Sequence, residues 1–314
     1  MKQFSQTITL LIFFVLFFAL VCSVSGQDGW ITVQNDLPQS YLSPADQQGI
    51  VEELRYSTPE GEKIALIYLP YGYGSSTEPY DIFYFMHGGG GSPYLYFTPE
   101  GTSPLSNMLD HMIRDRLIRP IIMVAPTFYS PDDNDFSVSN AGALVERFPE
   151  ELTSALMAAV ESKYRTFAAE PTSEGFKASR DHRAFGGFSM GSVTTWYVFL
   201  NDLEYFRYFV PLSGDCWVIR QMGGGSASDE TADALARAVS EQGFAAEDFM
   251  IYALTGTNDI AYDTLTAQMN TISSRDVFRY GENTFYGLLS GGTHNHPEMR
   301  QYIFTALQLF WSSK

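Results

Sequence analysis

Cysteine is nearly missing from this chain. Its 314 residues hold two, Cys22 and Cys216, and Cys22 falls in an N-terminal segment that reads as a cleaved leader. One thiol remains, so no intrachain disulfide can form after cleavage and the fold must rest on its core. Cys216 is accordingly read as a small buried hydrophobe. Basic side chains are also scarce: 19 Lys and Arg stand against 36 Asp and Glu, for a net charge of −17. Such an acidic surface argues against nucleic acid and anionic membranes as partners, but says nothing against a neutral polysaccharide. Past residue 22 no apolar run approaches the roughly 20 residues that span a bilayer, so no membrane association is expected once the leader is gone. There is no internal repeat and no low-complexity linker. The acidic stretch 130–135 lacks the glycine and distal glutamate of a calcium loop, and no metal or cofactor is expected.

What is present begins with the leader. Lys2 precedes an apolar run over residues 10–22, and Val24-Ser25-Gly26 supplies small residues before Gln27. Residues 1–26 therefore read as a secretory signal peptide and residues 27–314 as one domain, secreted to the extracellular space. Within that domain, strand-like runs at 51–57, 63–69, 80–85, 121–125, 184–188, 208–212, 249–254 and 284–289 alternate with helical stripes. This is the pattern of an α/β fold with a mostly parallel central sheet flanked by helices. Ser103-Pro104, Pro149-Glu150-Glu151 and Pro297-Glu298 are read as helix starts. Gly223-Gly224-Gly225-Ser226-Ala227-Ser228 is read as a flexible loop tip, and the acidic run 130–135 as a surface loop.

The chemistry centres on Gly187-Phe188-Ser189-Met190-Gly191. It follows a predicted strand and opens into a segment able to form a helix, which makes it a G-x-S-x-G nucleophile elbow of the α/β-hydrolase fold. A serine hydroxyl needs a base to take its proton and an acid to hold that base. Both should lie downstream, acid first. Only His294 and His296 follow the elbow. His294 is preferred, because Gly291 and Gly292 let its loop approach the serine while His296 abuts Pro297. Asp259, leaving the strand 249–254 at a tight turn, is preferred as the acid over Asp263. Two backbone donors are needed for an oxyanion. Met190, the residue after the nucleophile, supplies one, and Gly89 in His87-Gly88-Gly89-Gly90-Gly91 the other. His87 is read as structural, and His182 as fixing the loop ahead of the elbow strand.

These motifs come together with Tyr71-Gly72-Tyr73, Pro126-Thr127-Phe128-Tyr129, Ser179-Arg180-Asp181-His182-Arg183, Ser213-Gly214-Asp215-Cys216-Trp217 and Gly256-Thr257-Asn258-Asp259. The set resembles carbohydrate esterase family 1, and within it the feruloyl esterase domains of microbes that degrade plant cell walls. The similarity runs from about Gln48 to the C-terminus. It implies a serine esterase acting on feruloyl (hydroxycinnamoyl) esters of xylan, without metal or cofactor. Its partners would be feruloylated or acetylated xylan and arabinoxylan oligosaccharides. It puts nucleophile, acid and base on Ser189, Asp259 and His294. Trp217, with Phe128 or Tyr129, would line the acyl or sugar side of the cleft. The alternative within the same clan is an acetylxylan esterase or other small-acyl carboxylesterase, separated by a pocket volume that the residues do not reveal. No carbohydrate-binding module or dockerin-like repeat is seen, so a free-standing catalytic domain is expected.

Overall fold

The computed structural model describes residues 30–311; the leader expected at residues 1–26 lies outside them. Nine strands form one sheet: β1 (Trp30–Val33), β2 (Ile50–Thr58), β3 (Gly61–Leu69), β4 (Asp81–Met86), β5 (Ile121–Ala125), β6 (Arg183–Phe188), β7 (Tyr208–Leu212), β8 (Met250–Gly256) and β9 (Thr284–Leu289). Their order is β1-β9-β8-β7-β6-β4-β5-β3-β2, parallel from β1 through β5, with β3 antiparallel to both β5 and β2. Eight strands fall where the apolar runs predict them. β1 was not expected: it is only four residues long and gains its place by parallel pairing with β9, Trp30 opposite Tyr286 and Val33 opposite Leu289.

The helices are α1 (Pro104–Arg114), α2 (Val138–Glu151), α3 (Met157–Lys163), α4 (Ser173–Ala178), α5 (Met190–Asn201), α6 (Gly223–Ser226), α7 (Ser228–Glu241), α8 (Tyr262–Ile272) and α9 (His296–Phe310). α1 starts as its Ser-Pro dipeptide predicts, with Ser103 and Ser106 in a reciprocal capping box. α2 corrects the reading of Pro149. The helix begins eleven residues earlier, capped by the Ser137 side chain, and Pro149 sits inside it. A proline there removes one N–H and crowds the preceding turn. The chain relaxes through a π turn at Leu152–Leu156 before α3 resumes. Residues 223–226 are likewise not a loop tip but the short helix α6. A Cβ on Gly224 would meet the Gln268 Oε1 at 2.2 Å, so this glycine serves close packing rather than flexibility. Among the described residues no helix is long and apolar enough to cross a membrane.

Alternate residues of each strand face opposite layers. On β4, Ile82, Tyr84 and Met86 join a core with α2, α3, α5, α7 and α8, while Phe83 and Phe85 join one with α1 and α9. The strand that leads to the elbow is anchored at its start by charge. Arg183 holds Glu161 through Nε and Nη2, both at 2.8 Å, with both side chains buried. Tyr84 and Thr166 hydroxyls donate to the same carboxylate, and the guanidinium also donates to the Phe176 and Tyr205 carbonyls and to Ser179 Oγ. A buried pair so fully hydrogen-bonded is costly to break from one side. Glu161→Gln is expected to destabilise the protein by about 3–5 kcal/mol, read as a fall in the urea midpoint. An unchanged midpoint would show that this cluster does not hold β6.

Candidate active site

The carboxyl ends of the parallel strands meet at the point where the chain order reverses, between β4 and β6, where open α/β sheets form clefts. Here β6 turns into α5 at Ser189, which adopts φ 59° and ψ −116°, a region that a non-glycine residue enters only when its surroundings impose it. The impositions can be named. The Ser189 amide donates to the Leu212 carbonyl at 2.9 Å. A Cβ on Gly187 would stand 2.5 Å from the Gly191 backbone, and one on Gly191 would stand 2.2 Å from the Met86 carbonyl oxygen. Only glycine fits on either side, and the serine side chain is left half-buried at the cleft.

Asp259 and His294 arrive on the loops after β8 and β9. These loops are joined backbone to backbone: Thr257 N–H donates to the Leu289 carbonyl at 3.0 Å and Asn258 N–H to the Gly292 carbonyl at 2.9 Å. A Cβ on Gly256 would lie 2.1 Å from that same Gly292 oxygen. Asp259 Oδ1 accepts from His294 Nδ1 at 2.8 Å and from the Ala261 N–H at 2.8 Å. The carboxylate is fully buried while the imidazole is 20% exposed. Nδ1 therefore carries the hydrogen toward the acid, and Nε2 is the free nitrogen. The ring stacks on Phe188 with centroids 4.5 Å apart, which brings the imidazole alongside the residue that precedes Ser189. The two rivals stand elsewhere. Asp263 is exposed in the first turn of α8. His296 is the first residue of α9, and burial pushes its pKa down.

The glycine loop after β4 runs over the serine. A Cβ on Gly88 would lie 3.2 Å from Ser189 Cβ, and one on Gly89 would lie 3.2 Å from Met190 Cγ. The two backbone segments expected to donate to an oxyanion are thus neighbours. Met190, as the first residue of α5, has an N–H with no intrahelical acceptor. Beneath the loop His87 is fully buried. Its Nδ1 lies 2.7 Å from the Gly88 carbonyl and must donate to it. Nε2 then accepts from the Thr127 hydroxyl at 2.8 Å. Desolvation holds its pKa down to about 4.

The aromatic residues separate. Trp217 is half-buried, its edge against Gly142 and its Nε1 donating to Asp215 Oδ1 at 3.2 Å. Thr264 Oγ1 donates to the same oxygen at 3.1 Å, tying this loop to α8. Phe128 and Tyr129 are 2% and 6% exposed and pack against His87, so the structure puts them under the glycine loop. Sequence reasoning did not find the partners Thr127 and Asp215. Both lie inside motifs it used, but a hydrogen-bonded neighbour of a site leaves no periodic or spacing signal. Cys216 is buried as expected, and burial raises its thiol pKa to about 12.

Fold and elbow together are those of the α/β-hydrolases. No family model matches the chain. It is similar to endo-1,4-beta-xylanase Y of Acetivibrio thermocellus, 37% identical over 279 residues, which are 87% of this chain and 24% of that protein. An endo-1,4-beta-xylanase/feruloyl esterase of Xylanibacter ruminicola is 30% identical over 159 residues, 49% of this chain and 20% of that one. The chain thus spans about a quarter or less of the length of these relatives. Over a whole solved chain the likeness is fuller. A serine-to-alanine mutant of the feruloyl esterase module from Clostridium thermocellum, complexed with sinapinate, is 35% identical with a TM-score of 0.80, covering 90% of this chain and 95% of that one. The chain belongs to carbohydrate esterase family 1, among the carboxylic ester hydrolases of the feruloyl esterase type.

The low pKa of His87 has a consequence for pH. An unfolded histidine takes up its proton near pH 6.5, the buried one only near pH 4, so stability from this residue is full above 6.5 and lost as pH falls toward 4. The stability difference between wild type and His87→Gln is expected to shrink in that window, by on the order of 3 kcal/mol. Urea unfolding of both proteins at pH 7 and pH 4.5 checks this, and a difference that stays constant would contradict it.

Proposed function

We propose that this chain is a secreted serine esterase that hydrolyses feruloyl and related hydroxycinnamoyl esters on plant cell-wall xylan. The observation that carries the reading is the His294–Asp259 hydrogen bond, with the imidazole stacked beside the elbow of Ser189, in a chain of this family. The relatives named for xylanase and feruloyl esterase, and the module bound to sinapinate, support the acyl group and the polymer. The signal-peptide pattern read in the sequence of residues 1–26 supports secretion.

In this mechanism His294 Nε2 removes the Ser189 hydroxyl proton as Oγ attacks the ester carbonyl carbon. The oxygen that becomes an anion is met by the N–H groups of Met190 and Gly89. Collapse breaks the bond to the sugar oxygen, which leaves with the proton from Nε2. A water then gives its proton to Nε2 and attacks the feruloyl-serine carbonyl; collapse breaks the bond to Ser189 Oγ, which takes the proton back from Nε2, and ferulate is released. Asp259 keeps Nδ1–H oriented and stabilises the imidazolium throughout, without itself taking the proton. Trp217 is the side chain we assign to the acyl or sugar side of the cleft, while Phe128 and Tyr129 pack under the glycine loop.

Side-by-side initial rates on methyl ferulate and 4-nitrophenyl acetate test the substrate. Comparable turnover of both is expected. Turnover of the acetate alone would move the assignment to a small-acyl esterase such as an acetylxylan esterase. Ser189→Ala should lose at least about 10⁴-fold in kcat with an unchanged circular-dichroism spectrum, and Asp259→Asn about 10³–10⁴-fold. Full activity in folded Ser189→Ala would sink the mechanism.

A further inference from the structure

Tyr129 is almost fully buried, yet its hydroxyl is spent on a single backbone group in the glycine loop. The Gly90 N–H donates to Tyr129 Oη at 2.9 Å. Gly90 has φ +67°, so this contact pins the residue at the crest of the loop, directly after Gly89. Around it the donors and acceptors close into one consistent set. The Tyr129 N–H donates to Thr127 Oγ1 at 3.1 Å. That hydroxyl donates to His87 Nε2, and His87 Nδ1–H donates to the Gly88 carbonyl. The Gly91 N–H donates back to the same carbonyl at 3.1 Å. Gly88 and Gly90 are therefore held through their backbones by side chains beneath the loop, and Gly91 is tied back to Gly88, while Gly89 between them is exposed. Phe136 lies edge-on over the Tyr129 ring, with centroids 5.0 Å apart, and covers it from outside.

We infer that Tyr129 is a positioning residue for the oxyanion loop, acting through Gly90 on the Gly89 N–H rather than touching the acyl group. The inference rests on the esterase reading above. A chain segment of consecutive glycines has no side chains of its own to fix it, and each residue retains wide conformational freedom. A donor aimed at a developing charge is effective only when it is already in place, since the energy of aiming it would otherwise be taken from the reaction. The hydroxyl of Tyr129 supplies that fixing from the loop that follows β5. A residue in this role affects every ester alike, because all acyl groups place the same oxygen in the same position. A residue that contacts the acyl group would affect aromatic esters alone.

The test is Tyr129→Phe, assayed on methyl ferulate and 4-nitrophenyl acetate. We expect kcat to fall about tenfold on both esters, with KM within about twofold of wild type, part of the 10²–10³-fold loss from deleting an oxyanion donor outright. Inhibition by phenylboronic acid, whose tetrahedral adduct with serine needs the same donors, should weaken in step with kcat, while product inhibition by ferulate stays unchanged. A raised KM on methyl ferulate with normal acetate turnover would overturn the inference in favour of a substrate contact. Unchanged parameters on both would overturn it outright. Thr127→Val, which removes the hydroxyl linking Tyr129 to His87, should give the same kcat pattern more weakly, and serves if Tyr129→Phe does not fold. If the wild type cleaves neither ester, the functional reading fails separately. The rate at which a fluorophosphonate labels Ser189, expected to slow in Tyr129→Phe, still decides the positioning role.

Discussion

The first turn of α5 passes so close over the carboxyl end of β4 that the Met86 carbonyl leaves no room for a Cβ at Gly191. The rest of the site depends on that approach. It forces Ser189 out of ordinary backbone space and presents its side chain to the cleft. It also obliges the chain leaving β4 to cross directly above the serine, where Gly88 meets Ser189 Cβ. A nucleophile and a row of backbone donors are thereby brought together by one steric contact rather than by two separate devices. Strain of this kind persists only when its frame is rigid. The frame here is β6, fully buried and flanked by β4 and β7.

At three places in the molecule a buried charge or dipole is answered by protein partners of a different kind. At the start of β6 the answer is ionic, with Arg183 and Glu161 fork to fork and every remaining donor placed on a carbonyl or hydroxyl. Under the glycine loop the answer is neutral, because burial keeps His87 uncharged and lets it accept on one nitrogen while donating on the other. At the acid the carboxylate shares one oxygen between an imidazole and a backbone amide.

The fold was legible because its signals are local. Eight strands are apolar runs bounded by turn residues, and the elbow is a contiguous pentad. Ser189, Asp259 and His294 were named from motif and chain order, and the structure brings the acid and the base together. What was not legible depends on partners distant in sequence. β1 is a strand only because β9 lies beside it. Pro149 reads locally as a helix start, but Ser137 caps the helix earlier and a π turn absorbs the proline. Gly223 to Gly225 look flexible until Gln268 and Thr264 are seen against them. Tyr129 has the residue type expected of a cleft aromatic, and its burial under His87 follows from the fold alone.

The loops that carry Asp259 and His294 are bonded to each other through main-chain atoms, so their geometry is independent of most side chains around them. The rim beyond is different. Tyr94, Ile219, Met222 and Ile260 are all exposed, Ile260 by 80%, and they lie on the loops after β4, β7 and β8. Substitutions there leave the core packing and the acid–base pair alone. Lineages descended from one such scaffold can therefore diverge in what they accept at the rim by single amino-acid steps, with the machinery at the centre inherited intact.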